Sequence, residues 1–414
     1  MTSSGLRQPI VHRSMNRQNN LPIPRRNIAT TRFVLISDTY GYHPALPKGD
    51  VLCHARGLSN TGSIPELRKA LDWIDKADFE VKIIIAGSKD ITLDEKYYQK
   101  HRRDSDKEFH DPAECIRLVA TYPNIKYLHH QATTIHLKSG PKTTFKIFGS
   151  PLVPDHSEGA FGYNRSDDTT IERHWSNIPL DVDVVLTHTP AYNHRDASTK
   201  WQAAGCEGLR KALWQVRPRI AVCGRIAEAR GAETVEWNLD LPLSPFLEKQ
   251  TIQWTYPGAN RMAMSLVNLT RAGGNPLHND GAPGPRARGS DVFFSPAERA
   301  KPTAPSRVFE DYDEAPSSGV TTVSSFSDMT AHTVVPQDFW NAANTAYPPE
   351  PILDPQPIMS RLHHRNAAAL NGRSGRQETL IVNASIVITN NLNRLSYNQP
   401  IVVNVELPVG DEAV

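Results

Sequence analysis

Apolar residues in this 414-residue chain cluster in short runs rather than long ones. Phe33-Val34-Leu35-Ile36, Val51-Leu52-Cys53, Val81–Ala86, Val182–Leu186 and Ile220–Cys223 are near-continuous apolar stretches. That length and density suit strands buried on both faces. Between the second and third runs, Leu67, Ala70, Leu71, Ile74 and Ala77 recur at helical spacing. They follow Ser63-Ile64-Pro65-Glu66, which reads as a capping box with proline near the helix start. Residues 114–121 and 208–216 suit further helices, the second stopping before Pro218. Ile125–Leu128 and Thr234–Trp237 suit strands. Residues 133–137 and 143–148 flank Ser139-Gly140-Pro141 and suit a hairpin. Strand, helix and strand in succession form a βαβ unit with a right-handed crossover, which places the chain in the α/β class.

The pattern divides the chain into four parts. Residues 1–30 hold five arginines, no acidic residue and three prolines. The prolines interrupt the amphipathic helix that a mitochondrial presequence requires, so a disordered basic tail is expected, with mitochondrial targeting as the alternative. Residues 31–256 form the α/β core. Residues 257–377 contain 14 of the 32 prolines and no sustained periodicity, and are expected to be a disordered insertion. Residues 378–414 regain strand character at Leu380–Asn383 and Ile401–Val405, and should complete the core.

Composition adds little beyond this division. The formal net charge is +2, which by itself predicts no acidic partner, and no nucleic-acid-binding module is evident. Cys53, Cys115, Cys206 and Cys223 lie far apart, without CxxC spacing, as in a reduced cytoplasmic protein. No apolar run approaches the roughly 20 residues of a membrane-spanning helix, so no membrane partner is expected.

Four segments carry the candidate chemistry: Thr31–Gly57, Gly87-Ser88-Lys89-Asp90, Thr187-His188-Thr189-Pro190 and Cys223–Gly231. In order and spacing they resemble the motifs of the calcineurin-like metallophosphoesterases. The closing PIVV-VELP stretch is similar to that of fungal-type small metallo-dependent phosphatases. The resemblance covers residues 30–256 and the final strands. It implies a four-layer α/β/β/α sandwich with two divalent metals, such as Mn, Fe or Zn, at the strand ends, where they polarise a phosphoryl group. The family motifs read D-x-H, G-D, G-N-H-D/E, a lone H, and G-H-x-H. Against them this chain retains Asp38, Asp90 and His188. Tyr40 stands at the first histidine, Gly57 at the bridging carboxylate, Ser88 at the ligand asparagine and Lys89 at the catalytic histidine. Arg225 and Ala227 stand at the last two histidines.

Of the seven protein ligands that the resemblance implies, Asp38 and His188 match. Two donors on separate strands fall short of a dinuclear site. Arg56, Lys89 and Arg225 add positive charge, and a cation about 4 Å from a divalent ion is repelled by roughly 8 kcal/mol at an effective dielectric of 20. The expectation is therefore a catalytically inactive member with no bound metal and no catalytic residue, in which Asp38 pairs with Arg225 or Lys89. Three other readings stand beside it. Arg56, Lys89 and Arg225 could hold a phosphate-containing small molecule. The site could retain weak metal-dependent hydrolysis of small or cyclic phosphodiesters. Residues 257–377 could engage a protein partner through VFEDYDEAP or DFWNAANTAYPPEP. His43, His54, His156 and His194 lie near the motifs without a spacing that assigns them a ligand role.

Overall fold

The computed structural model describes residues 27–101, 110–154, 159–198, 203–239, 246–254, 265–277, 279, 365–366, 375–389 and 395–410. Its first half runs β1 (Ile28–Ile36), β2 (Val51–His54), α1 (Ile64–Lys76), β3 (Val81–Ile84), α2 (Glu95–His101), α3 (Pro112–Ala120), β4 (Ile125–Tyr127), β5 (Gln131–His136) and β6 (Thr144–Ser150). Then come α4 (Asp168–Trp175), β7 (Val184–Thr187), α5 (Glu207–Val216), β8 (Ile220–Cys223), β9 (Gly231–Trp237), β10 (Glu248–Gln253) and β11 (Ser265–Asn268). The chain closes with β12 (Glu378–Asn383), β13 (Val387–Thr389), β14 (Leu395–Tyr397) and β15 (Ile401–Pro408).

The strands form a six-stranded sheet, β11-β15-β1-β2-β3-β4, and a seven-stranded sheet, β10-β9-β12-β8-β7-β6-β5. β1 through β4 are mutually parallel, and β15 closes antiparallel on β1 with Phe33 opposite Val403. In the second sheet β6, β7, β8 and β12 are parallel. Each short apolar run serves two layers. Phe33 and Leu35 face Phe145, Ile147 and Leu186 between the sheets. Val34 and Ile36 point the other way, onto Leu67 and Leu71 of α1 and Leu118 of α3. Val185 and Ala221 of the second sheet pack on Trp175 of α4 and Leu213 of α5. Helices thus cover both outer faces, giving the expected four-layer α/β/β/α order. Burying such side chains, each worth about 1.5–3 kcal/mol, is the main stabilising term.

Three features differ from the sequence pattern. Residues 28–30, assigned to the basic tail, begin β1; residues 1–26 lie outside the described residues. Ser265–Asn268, assigned to the proline-rich insertion, is a strand parallel to β15. It alternates only briefly, Val267 buried and Leu266 39% exposed, which leaves too short a signal to read. Ser63 occupies the N-cap of α1 but makes no side-chain cap bond. Glu66 instead accepts from the backbone N–H groups of Asn60 and Thr61, at 2.8 and 2.9 Å, so the acid orders the incoming loop. Of residues 257–377, expected to be disordered, residues 257–264, 278, 280–364 and 367–374 lie outside the described residues. Among the described residues, no helix is long and apolar enough to cross a membrane.

The parallel strands of both sheets end at the same edge of the sandwich. Ser37 after β1 bridges Ser385 after β12 there, and the N–H of Arg225 after β8 reaches Asp38. Loops 37–42, 54–59, 87–90, 187–196 and 224–230 therefore converge.

Candidate functional site

Asp38 follows β1 in a left-handed conformation, φ +62°, as does Tyr40 at φ +47°. Two backbone bonds zip this loop to the one after β2: Asp38 N–H to Arg56 O at 2.9 Å and Tyr40 N–H to Gly57 O at 2.8 Å. Gly57, at φ +71°, lies directly beneath the Tyr40 ring. A Cβ there would stand 3.0 Å from Tyr40 Cε1 and 3.1 Å from Asp38 Cα.

The Asp38 carboxylate is buried and meets four donors. Oδ1 accepts from Arg56 Nη1 at 2.7 Å and from the Tyr40 hydroxyl at 3.1 Å. Oδ2 accepts from Ser37 Oγ at 2.9 Å and from the Arg225 N–H at 3.2 Å. Arg56 is 4% exposed, and its other terminal nitrogen donates to Ser88 Oγ at 3.1 Å. Burial opposes its charge, but Asp38, Tyr40 and Asp90 together outweigh this and raise the guanidinium above its ordinary range. Burial pushes the Tyr40 phenol well above its usual value; Arg56 works against that shift and Asp38 adds to it, so the hydroxyl keeps its proton and donates. Lys89 is exposed, its ammonium lying 4.5 Å from the Tyr40 ring centre, a cation–π contact.

His188, fully buried, comes from the second sheet. Its Nδ1 lies 2.9 Å from the Pro151 carbonyl, which fixes the proton on Nδ1 and leaves Nε2 a bare lone pair. Nε2 has no hydrogen-bond partner among the described residues. Burial, then the charges of Arg56 and Arg225, hold the ring neutral, well below its ordinary value. Arg225 is left-handed at φ +76°. Gly224 before it packs so closely that a Cβ would fall 1.8 Å from Ser37 Oγ. Ala227 opens a short 3-10 turn. Asp90, fully buried, accepts from the N–H of Gly87 (2.7 Å), Leu58 (3.3 Å) and Ser59 (2.8 Å) and from Ser59 Oγ (2.6 Å). Burial raises its pKa despite these bonds, and its work is to tie loop 87–90 to loop 57–59.

The structure thus brings Asp38, Tyr40, Arg56, Ser88 and Lys89 together, with His188 and Arg225 beside them. It corrects one expectation: Asp38 pairs with Arg56. Arg56 follows the neighbouring strand and is already joined to Asp38 through the backbone, whereas Lys89 rests on Tyr40 and Arg225 supplies its backbone N–H. The neighbouring histidines are engaged elsewhere. His43 stacks on Trp73, its ring centre 5.0 Å away. His54 bonds Thr39 Oγ1 at 2.8 Å and is held neutral by burial, pushed down to about 4. His194 lies between Glu233 and Glu248, at 2.7 and 2.8 Å. His156 lies outside the described residues. The bonds of Ser37 and Tyr40 to Asp38 had no sequence signal, because both donors lie within two residues of their acceptor and carry no motif.

Two divalent metals do not fit these donors. The Asp38 carboxylate is held by a guanidinium, Asp90 is taken up by backbone N–H groups, residue 57 is a glycine, and the arginines Arg56 and Arg225 act on the buried His188 ring. Among the described residues, no group of three or more His, Cys, Asp or Glu side chains is arranged to hold a metal ion.

No protein-family model matches the chain. It is 36% identical over 210 residues to a probable rhamnogalacturonate lyase C of Emericella nidulans, covering 50% of this chain and 18% of that protein. It is 32% identical over 207 residues to human metallophosphoesterase domain-containing protein 1, covering 49% of this chain and 62% of the relative. The chain thus spans less than two thirds of the length of either. It is 30% identical over 213 residues to UPF0046 protein C25E10.12 of Caenorhabditis elegans, covering 49% of this chain and 71% of that one. Among solved structures, purple acid phosphatase PPD1 from yellow lupin matches with a TM-score of 0.28 and 12% identity, over 51% of this chain and 40% of that one.

Proposed function

The chain belongs to the UPF0046 family within the metallophosphoesterase superfamily, and from that premise we propose that it is a member without metal-dependent hydrolysis. In this reading Arg56 takes the place of the metal pair. One observation carries it: the buried Arg56–Asp38 ion pair at 2.7 Å, with the same guanidinium bonded to Ser88. A carboxylate bound this way is not free to hold a metal, and the side chain at 57 that would bridge two metals is absent. Removing Arg56 to admit a cation would first break a buried pair, which costs about 3–5 kcal/mol.

An anion held by Arg56, Lys89 and Arg225 has weaker support. Arg56 is already neutralised by Asp38, and its Nε lies against Gly87, where a Cβ would stand 3.1 Å away. The family's hydrolysis of phosphodiesters has the least, since it needs the metals.

The test is direct. Full-length protein purified with excess Mn²⁺ is expected to retain no stoichiometric metal after desalting and to show no turnover of bis(p-nitrophenyl) phosphate. Near two tightly held equivalents of metal would overturn the proposal. A phosphate-dependent rise in Tm that Arg225→Ala abolishes would instead favour the anion reading.

A further inference from the structure

The edge of the sandwich opposite the candidate site carries a cleft of about 310 Å³, lined by Pro44, Leu46, Pro47, Trp73 and Phe79. Lys48, Lys76 and Asp78 stand around it. Lys69, Trp73 and Lys76 are spaced i, i+4, i+7 on α1, so an aromatic ring sits between two exposed ammonium groups on one helix face. His43 stacks parallel to Trp73, 4° between the planes, and fixes the indole. Asp72, three residues after Lys69 and four before Lys76, borders this stripe and accepts from the Tyr122 hydroxyl at 2.6 Å, while Asp75 accepts from Asn124 at 3.3 Å. The cleft is therefore apolar in its floor and bordered by three lysines, Lys48, Lys69 and Lys76, against two acids, Asp72 and Asp78.

The long excursion of the chain leaves and re-enters at this same edge. The cleft lies just before β2 and β3, whose first residues Val51 and Val81 pair. Asn279 Oδ1 accepts from the N–H groups of Gln377 and Glu378, both at 3.2 Å, where β12 begins. Between Val308 and Ser360 the sequence holds eight Asp and Glu residues and no Lys or Arg. These residues lie outside the described ones. They include Asp338–Pro351, DFWNAANTAYPPEP, which joins aromatic residues, prolines and two acids.

We propose that Asp338–Pro351 of this same chain docks in the cleft, with Pro348 and Pro349 against Trp73 and Phe79 and the acids Asp338 and Glu350 toward Lys48, Lys69 and Lys76. Proline-rich segments lose little conformational entropy on binding and are taken by aromatic-lined grooves. The opposite charges favour and steer the encounter. The tether is long enough. Arg365 is anchored beyond the C-terminus of α4, donating to Ser176 O at 2.9 Å, Ile178 O at 2.6 Å and Gln215 Oε1 at 2.7 Å. The 14 residue steps from Pro351 to Arg365 can span roughly 48 Å, against about 30 Å across four layers spaced near 10 Å. The proposal does not depend on what the candidate site does.

Hydrogen exchange on the full-length chain tests it. Amides of 339–347 are expected to exchange at least tenfold more slowly than in a Lys69→Glu/Lys76→Glu variant, whose changes are confined to the surface. Trp73→Ala should release them as well, and 0.5 M salt should weaken the protection. Equal exchange in the wild type and the charge-reversed variant would overturn the proposal. Protection that grows with protein concentration, together with dimer formation, would overturn the intramolecular form by assigning the cleft to a second copy's segment.

Discussion

The two sheets contribute unequal halves to the candidate site. The first sheet's half is charge-paired: Arg56 places its charge against the Asp38 carboxylate 2.7 Å away, with Tyr40 and Ser88 bonded to the pair. Arg56 Nε, against Gly87, has no hydrogen-bond partner among the described residues. The second sheet's half supplies an N–H from Arg225 and a histidine whose Nε2 meets nothing among the described residues. Asp38, Arg56 and His188 are all buried, yet the two halves meet the cost of burial differently. In the first, opposite charges neutralise each other. In the second, the histidine remains uncharged. The first half should therefore respond strongly to substitution, and the second mainly to pH.

The largest expected effect is at Arg56. Arg56→Met leaves Asp38 buried beside Tyr40 and Ser37 without a counter-charge, a loss of about 3–5 kcal/mol. The double variant Arg56→Met/Asp38→Leu removes both charges and should recover most of that loss. Urea unfolding at neutral pH distinguishes these outcomes. A single variant within 1 kcal/mol of wild type would mean that the ion pair does not organise the first half.

Next in size is Gly57→Asp. The new side chain must take φ +71° and enter the space of the Tyr40 ring, which together costs about 2–4 kcal/mol. Adding Tyr40→His shrinks the opposing ring and should return a measurable part of the loss. Residues 40 and 57 are then one steric unit, and non-additive unfolding energies in a double-mutant cycle would show it. Strict additivity would remove Tyr40 as the reason why no side chain fits at 57.

How far the sequence could be read follows from what kind of signal each feature leaves. Phe33–Ile36 announced a doubly buried strand because every residue faces one of two apolar layers, and Asp38 at its end marked the site. The insertion's first boundary was missed because β11 is four residues on a sheet edge, with only Val267 and Ser265 turned inward. Sequence shows which charges gather at the strand ends but not which rotamers reach, so it does not single out Arg56 as the partner of Asp38. The pairing of Arg56 depends on the parallel register of β1 and β2, which sets Arg56 O opposite Asp38 N–H. The capping box failed for a related reason. Glu66 has two competing backbone donors in the preceding loop, and a four-residue motif does not record them.

The smallest effects are titrations, and they separate the two histidines of one loop. His188 is held below its ordinary pKa, by burial first and then by Arg56 and Arg225, so its neutral form is the native one. Stability is then lost as pH falls below about 6.5, where the unfolded ring binds a proton and the folded ring does not, by about 1 kcal/mol between pH 6.5 and 5.5. His54, His130 and His174, pushed down by burial to about 4, 3 and 4, act in the same direction, so His188→Gln should flatten part of the acid slope rather than abolish it. His194 has the opposite sign. Burial opposes its charge, but its bonds to Glu233 and Glu248 raise it above the ordinary value, and Arg210 holds Glu248 from the other side at 2.7 Å. Its contribution is complete below pH 6.5 and is lost as pH rises through the raised folded value, so His194→Gln should flatten the alkaline limb instead. Unfolding midpoints measured from pH 5.5 to 8.5 for wild type and the two variants read both limbs at once. If His188→Gln left the acid limb unchanged, the lone pair at Nε2 would not be the buried neutral group on which the contrast between the two halves rests.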